Sequence, residues 1–337
     1  MSANVKAFGE VMMRLEAPGY KTLEQTDTLH TMYTGTGVNI LSSLSTFNHA
    51  TSIITKLPDN SLGKAAQSAI RSSGISTENI VFGGQYLGQY FLENGYGHRA
   101  SKVTYSNRKE SSFSMSDVAE YDLKKCLADT DILHICGIGL AISDRTRNNA
   151  IQAAEIAHES GVKVAFDCNF RPKLWHDDFT KARHYYEKIL PYVNICFMTE
   201  KDAKYILGYE TEQAGRINEI NELIPEVAKR FQIDMIAGTI REETSHQTGT
   251  LQGYMLTGNT LHYAKAFKYD TLDRIGSGDG FASGILHGIL TNLSADETVA
   301  FATGAGVLAH TIHGDIPRNT EKDIQAFLTN NRISMER

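Results

Sequence analysis

The chain has 337 residues, a formal charge of −6 and 41% hydrophobic residues, enough for one large α/β domain or two domains with a full core. Its mild acidity is spread without long runs, which argues against a nucleic-acid surface or an anionic-membrane surface. Cys126, Cys136, Cys168 and Cys196 show neither C-x-x-C nor zinc spacing, so they read as buried free thiols; no apolar leader or long apolar run appears, and a cytoplasmic location is expected.

Residues 5–8 read as a short strand ending at Gly9, and 12–16 as a second strand. Residues 17–36, rich in Thr, Gly and Tyr, lack helical periodicity. Apolar Val38, Ile40, Leu41, Leu44 and Phe47 mark a helix over 38–47. A β-branched strand covers 51–57, and a helix over 62–73 stops at Gly74. Between 88 and 112 aromatic, glycine and polar residues alternate, which predicts a β-hairpin turning near Asn94-Gly95. The βα rhythm then resumes. Strands are predicted at 131–136, 163–167, 195–198 and 235–237, with helices at 144–159, 182–190 and 200–207. A hairpin over 249–264 turns around Gly258-Asn259, and helices at 280–290, 295–308 and 323–328 finish the chain. The alternation predicts an α/β fold, a doubly wound, mostly parallel sheet with helices on both faces. The main domain comprises 1–9, 37–84 and 113–337; 10–36 and 85–112 form a small β-sheet lid.

The segment Gly276-Ser-Gly-Asp-Gly-Phe281 opens a helix of small residues. Unpaired N–H groups and the positive dipole end make such a start an anion site, and glycines let a phosphate come close to the backbone. Asp279 here either caps the helix or takes a proton from an attacking alcohol. No Gly-Lys-Ser/Thr follows, so this is not a Walker A loop. No G-x-G-x-x-G follows the first strand, which disfavours a dehydrogenase.

Asp273-Arg-Ile-Gly-Ser-Gly-Asp-Gly-Phe-Ala-Ser-Gly284 resembles the C-terminal signature of the ribokinase-like (PfkB-type) carbohydrate kinases, D-x-x-G-A-G-D-x-F-x-x-G, with Ser277 replacing the usual small residue. Tyr33-Thr-Gly-Thr-Gly-Val-Asn39 resembles the family's N-terminal glycine signature, and the likeness runs in order from Gly9 to the last helix. It implies direct phosphoryl transfer from ATP with Mg²⁺. Asp279 would be the base, and the N–H groups of Gly276, Ser277 and Gly278 an anion hole. It implies that Asn169, Arg171, Thr239 and Arg241, with Gly276 and Gly278, meet the ATP phosphates, and that adenine lies around 303–305. The family's N-x-x-E motif reads Thr199-Glu-Lys-Asp202, which leaves Asp202 a water-mediated metal contact and no direct ligand assigned.

Further segments resemble the 2-keto-3-deoxygluconate kinase branch: Gly9-Glu-Val-Met-Met-Arg-Leu15, Leu57-Pro-Asp-Asn-Ser-Leu-Gly63, Phe166-Asp-Cys-Asn-Phe-Arg-Pro-Lys-Leu-Trp175, His310-Thr-Ile-His-Gly-Asp315 and the pair Asp273-Arg274. That substrate carries a carboxylate, which Arg grips better than Lys. The resemblance places Arg108 and Arg171 on the carboxylate and Tyr90 against the sugar. Gly35 and Thr36 would hold hydroxyls, Asn39 would brace their turn, and Asp315 would meet the substrate's far end. His313 reads as structural. Lids of this family often pair, so a homodimer through 86–105 is expected. A fructose or tagatose-phosphate kinase is the runner-up, and a non-catalytic sugar-binding regulator the alternative outside the class.

Overall fold

The computed structural model describes residues 3–243, 248–273 and 275–329; Arg274, the second residue of the Asp273 motif, lies outside them. In chain order the strands are β1 (Asn4–Phe8), β2 (Met12–Glu16), β3 (His30–Thr34), β4 (Ala50–Leu57), β5 (Ile80–Phe82), β6 (Gly88–Glu93), β7 (Lys102–Ser106), β8 (Ile132–Cys136), β9 (Lys163–Asp167), β10 (Ile195–Phe197), β11 (Met235–Glu243), β12 (Thr248–Thr257), β13 (Thr260–Tyr263) and β14 (Phe267–Asp270).

Ten of them form one sheet in the order β13-β12-β11-β10-β9-β8-β1-β4-β5, with β14 added beside β12. From β11 to β5 every pairing is parallel, and β12, β13 and β14 join antiparallel. The parallel strands read as near-continuous apolar runs, and β8 is buried at all five positions, as a sheet covered on both faces requires. Two apolar clusters flank the sheet. One gathers Phe8, Leu133, Ile135, Phe166 and Tyr186; the other gathers Ala7, Ile40, Leu44, Ile132 and Phe281. The β12–β13 hairpin turns on Gly258 (φ 53°) and Asn259 (φ 68°), the two positive angles of a tight primed turn.

A separate four-stranded sheet, β3-β2-β6-β7, forms the smaller layer, and its strands fall inside the two expected lid segments. One detail there differs from the sequence pattern. The irregular stretch 17–36 contains β3, an edge strand paired antiparallel to β2, whose HTMYT sequence, exposed at one end and buried at the other, carries little alternation. The β6–β7 hairpin turns tightly at Gly97-His98, just past Asn94-Gly95: Tyr96 and Arg99 pair antiparallel in the register that Glu93 and Lys102 set.

The sequence pattern marks no element over 209–234, yet Arg216–Phe231 is a helix burying Ile220, Leu223, Ile224, Val227 and Phe231 along one face; Pro225 inside it breaks the helical signal. Three cysteines are buried as expected, whereas Cys126, in a four-residue helix, is only half-buried. No helix of the described residues is long and apolar enough to cross a membrane.

The carboxyl ends of β1, β8 and β9 lead to Gly9, Gly137 and Asp167 on one edge of the sheet. Open α/β sheets bind ligands at that edge. The second sheet sits over it.

Candidate active site

A cavity of about 510 Å³ opens at this edge, lined by Gly9 and Glu10, by Thr34 to Gly37 and Asn39, by Tyr90, Tyr105 and Arg108 from the small sheet, and by Asp167, Asn169, Arg171, Arg241, Gly276, Gly278, Asp279 and Asp315. Of the residues expected in the site, Thr239, Ser277 and Asp202 do not line it. The Thr239 carbonyl accepts from Arg216, and the Ser277 hydroxyl points at the Gly306 carbonyl, 2.9 Å away.

The floor is the start of the helix Ser277–Leu290. Gly276 is its N-cap, at φ 91°, and a Cβ there would sit 2.3 Å from the Asp315 carbonyl oxygen; only glycine fits. The first intrahelical bond runs from Gly280 N–H to the Gly276 carbonyl, 2.8 Å. The N–H groups of Ser277, Gly278 and Asp279 therefore precede the ladder and have no helical acceptor. Above Gly278 there is open space, with no atom within 4 Å of a built Cβ. An anion can settle there against backbone donors and the helix dipole.

Asp279 lies in that first turn, but its side chain does not cap the helix. Its Oδ2 accepts instead from Asn39 Nδ2, 2.6 Å away. Burial pushes the Asp279 carboxyl up to about 8. The Asn39 hydrogen bond opposes that shift, Asp167 and Asp315 add to it, and Arg171 also opposes it. A buried carboxyl with a value this close to neutrality suits a proton acceptor better than a cap. Asn39 stands in the helix Thr36–Thr46, and its other amide atom accepts from the Thr34 hydroxyl, 2.9 Å. Gly35, just before this helix, has no room for a side chain, because a Cβ would lie 2.3 Å from the Glu10 carbonyl oxygen.

On the third side, β9 delivers Asp167, which accepts from the Asn169 backbone and side-chain amides, both at 3.0 Å. Asn169 holds a left-handed φ of 39°, and its own carbonyl Oδ1 is buried with no partner among the described residues. Arg171 is exposed along the same wall, and Arg241 donates to the Ser277 hydroxyl at 3.0 Å. Thr303, Gly304 and Ala305 are buried, and Gly304 is covered by Ile324, Phe327 and Leu328, so side chains lie over the expected adenine face.

The lid wall is a network of charges. Arg14 of β2 is fully buried (0% exposed) and contacts three carboxylates: Glu16 at 2.7 Å, Asp273 at 2.8 Å, and Asp315. Burial works against its charge, but Asp315 and Asp273 outweigh that and raise its pKa. Asp315 also accepts from Thr34, 2.9 Å, and from the Tyr90 hydroxyl, so its two oxygens are engaged from within the protein. Arg108 pairs with Glu10 at 2.9 Å and lies over the Tyr105 ring, 4.7 Å from its centre. It is 9% exposed, and its Nη1 has no partner among the described residues. His313 sits 3.4 Å from Glu16, half-exposed and outside the cavity lining.

Residues 2–322 match the family model described as pfkB family carbohydrate kinase. The chain belongs to that family. A Haloferax volcanii protein named 2-dehydro-3-deoxygalactonokinase is 25% identical over the whole of both chains. A Thermotoga maritima structure named 2-dehydro-3-deoxygluconokinase is 29% identical, covers 98% of this chain and 99% of its own, and superposes with a TM-score of 0.93. An Enterococcus faecalis structure, provisionally named a 2-keto-3-deoxygluconate kinase, is 41% identical over 100% and 99% of the two chains, with a TM-score of 0.94.

This carbohydrate kinase thus has the ribokinase-like fold, and most of the residues singled out from its sequence meet in one cavity. Sequence reasoning missed Glu10, Arg14, Thr34, Tyr105 and Asp167 as members of the site. Glu10 and Asp167 stand inside the quoted segments Gly9–Leu15 and Phe166–Trp175, and an acid at a strand end was the available signal. Asp202 closes a capping box with Thr199: one of its oxygens accepts the Thr199 N–H and hydroxyl, both at 2.8 Å, and burial pushes its carboxyl up to about 6.

Proposed function

We propose that this kinase phosphorylates the terminal hydroxyl of a keto-deoxy sugar acid, 2-keto-3-deoxygluconate first among them. The observation that carries the reading is the meeting, in one cavity, of an uncapped acid at a helix start with a buried arginine that keeps one donor unused. The sugar carboxylate pairs with Arg108, assisted by Arg171. The chain of the sugar runs along Gly35, Thr36 and Tyr90, and its far hydroxyl comes to Asp279. Asp315 acts through Tyr90 and Thr34, both of which it holds.

The site fits a nucleotide triphosphate at its phosphate end: open space over Gly278, free helix donors and the guanidinium groups of Arg171 and Arg241 face the same volume. Asp167 and the unpartnered Asn169 carbonyl offer hard oxygens that would hold Mg²⁺ through its water shell. When bound, ATP with its Mg²⁺ supplies the phosphoryl group and neutralises its charge. The chain's own part is to place the alcohol in line, to accept its proton at Asp279, and to meet the charge of transfer with the N–H groups of the Gly276–Gly278 turn.

The name of the Haloferax relative favours a second substrate, the galacto epimer of the same acid. A panel of 2-keto-3-deoxygluconate, 2-keto-3-deoxygalactonate, fructose and tagatose 6-phosphate with ATP and Mg²⁺ separates the readings. The acids should exceed fructose in kcat/KM by about 100-fold, the worth of a charge-assisted contact. Equal or better turnover of fructose would remove the sugar-acid reading. The lid exposes the contacting ring pair Tyr20 and Tyr96, which supports a homodimer through it; a monomer in light scattering would overturn that part alone.

A further inference from the structure

A second cavity of about 520 Å³ adjoins the first, and Tyr105, Arg108 and Ile142 line both. Its remaining wall comes from the loop after β7, from the start of the helix Asp144–Glu159, and from the turn Pro172–Trp175 with its neighbours. The size is that of a small-molecule site. Its lining is basic in a chain of net charge −6: Arg108, Lys109, Arg147, Lys173 and Lys181, against Glu110 and Asp144.

The cations differ in how they are employed. Arg108 is paired with Glu10, and Arg147 with Asp144. Lys109, Lys173 and Lys181 take part in no ion pair among the described residues. Arg147 is locked in place. Its Nε donates to the Leu140 carbonyl at 2.8 Å, and its guanidinium lies over the Tyr185 ring at 4.2 Å and the Trp175 ring at 5.3 Å. The Trp175 indole N–H is buried, 4% exposed as a residue, and has no acceptor among the described residues.

We propose that this second cavity is an accessory anion site that takes a small phosphate monoester, seated between Lys173, Lys181 and the Trp175 wall. Three uncommitted lysines match a dianionic phosphate, which ammonium groups bind as point charges. Because Arg108 stands in the shared wall, an anion on its far side weakens the field it turns toward the sugar pocket. Occupancy therefore raises KM for the sugar acid and leaves kcat unchanged. That second consequence rests on the sugar-acid reading above; the binding itself does not.

Trp175 is the chain's single tryptophan, so its fluorescence reports this cavity directly. Titration of the full-length protein with glycerol 3-phosphate should give a saturable change at millimolar concentration, retained when ATP fills the transfer site. The exposed pair Lys173→Ala/Lys181→Ala should abolish it without loss of fold. No saturable change, or the same change in the double variant, overturns the site. In kinetics, glycerol 3-phosphate should raise the sugar-acid KM several-fold in the native protein only. Fluorescence binding with no effect on KM would overturn the coupling through Arg108 and leave the site.

Discussion

The two walls of the first cavity are built by different means. The floor is made of backbone: a glycine at φ 91° that no other residue could replace, a helix start, and open space above Gly278. The lid wall is made of side chains, each held by another: Tyr90 and Arg14 on Asp315, Arg108 on Glu10, Thr34 on Asn39. Backbone donors are fixed before substrate arrives, which suits them to meet charge that develops during transfer. Side-chain partners can be removed singly, and their loss falls on binding or on stability. Substitutions on the floor should therefore appear in kcat, and those on the lid in KM or in Tm.

The largest effect is expected at Asp279. Asp279→Asn keeps the size and the Asn39 contact but cannot accept a proton, so kcat should fall by about 10²- to 10⁴-fold with KM little changed. Native-like turnover would end the base assignment. The pH profile gives the sign independently. Burial places the Asp279 carboxyl near 8 against the pull of Asn39, so the active, ionised form is lost as pH falls through that value. Log kcat/KM should drop with unit slope on that side, and Asn39→Ala, which removes a bond to the ionised form, should move the limb upward.

Next comes Arg14, a lid residue with no part in the transfer. Arg14→Met leaves Glu16, Asp273 and Asp315 buried without their cation, and should destabilise the protein by about 3–5 kcal/mol in chemical denaturation. Arg108→Gln tests the other kind of lid arginine. It removes a charge with an unused donor, and should raise the sugar-acid KM by about 10- to 100-fold while kcat changes little. A fall in kcat alone would erase the distinction between the two walls.

The floor was the more legible wall in the sequence, for the same reason. Backbone geometry needs glycine at fixed spacing, so Gly276, Gly278 and Asp279 declare themselves as a motif. Strand–helix alternation likewise gave the parallel core, because β1, β8 and β9 are mostly apolar and are buried along most of their length. The lid wall was less legible, since its meaning lies in pairs distant along the chain. Arg14 meets Asp273 and Asp315 across 259 and 301 residues, and Glu10 meets Arg108 across 98. Nothing local to Arg14 announces a triple ion pair. Asp315 stood out, but with the substrate as its expected partner rather than Tyr90 and Arg14. The helix Arg216–Phe231 was hidden by Pro225, and β3 by its lack of alternation.

The smallest effect concerns Asp202, the remnant of the family's acidic motif. In this chain its Oδ2 serves the Thr199 N–H and hydroxyl at the start of the helix Glu200–Tyr205, and its side chain stands outside the cavity lining. A carboxylate so engaged caps a helix, and losing such a cap costs about 1 kcal/mol. Asp202→Ala should therefore lower Tm slightly and leave the Mg²⁺ concentration for half-maximal rate where it was. The reason lies in what replaces the family's Asn: Thr199 brings a hydroxyl that binds Asp202 directly, and this bond turns the acid inward, toward its own helix. A several-fold rise in the Mg²⁺ requirement of Asp202→Ala would instead make the residue a water-mediated metal contact, and the metal would then belong to a third wall distinct from both floor and lid.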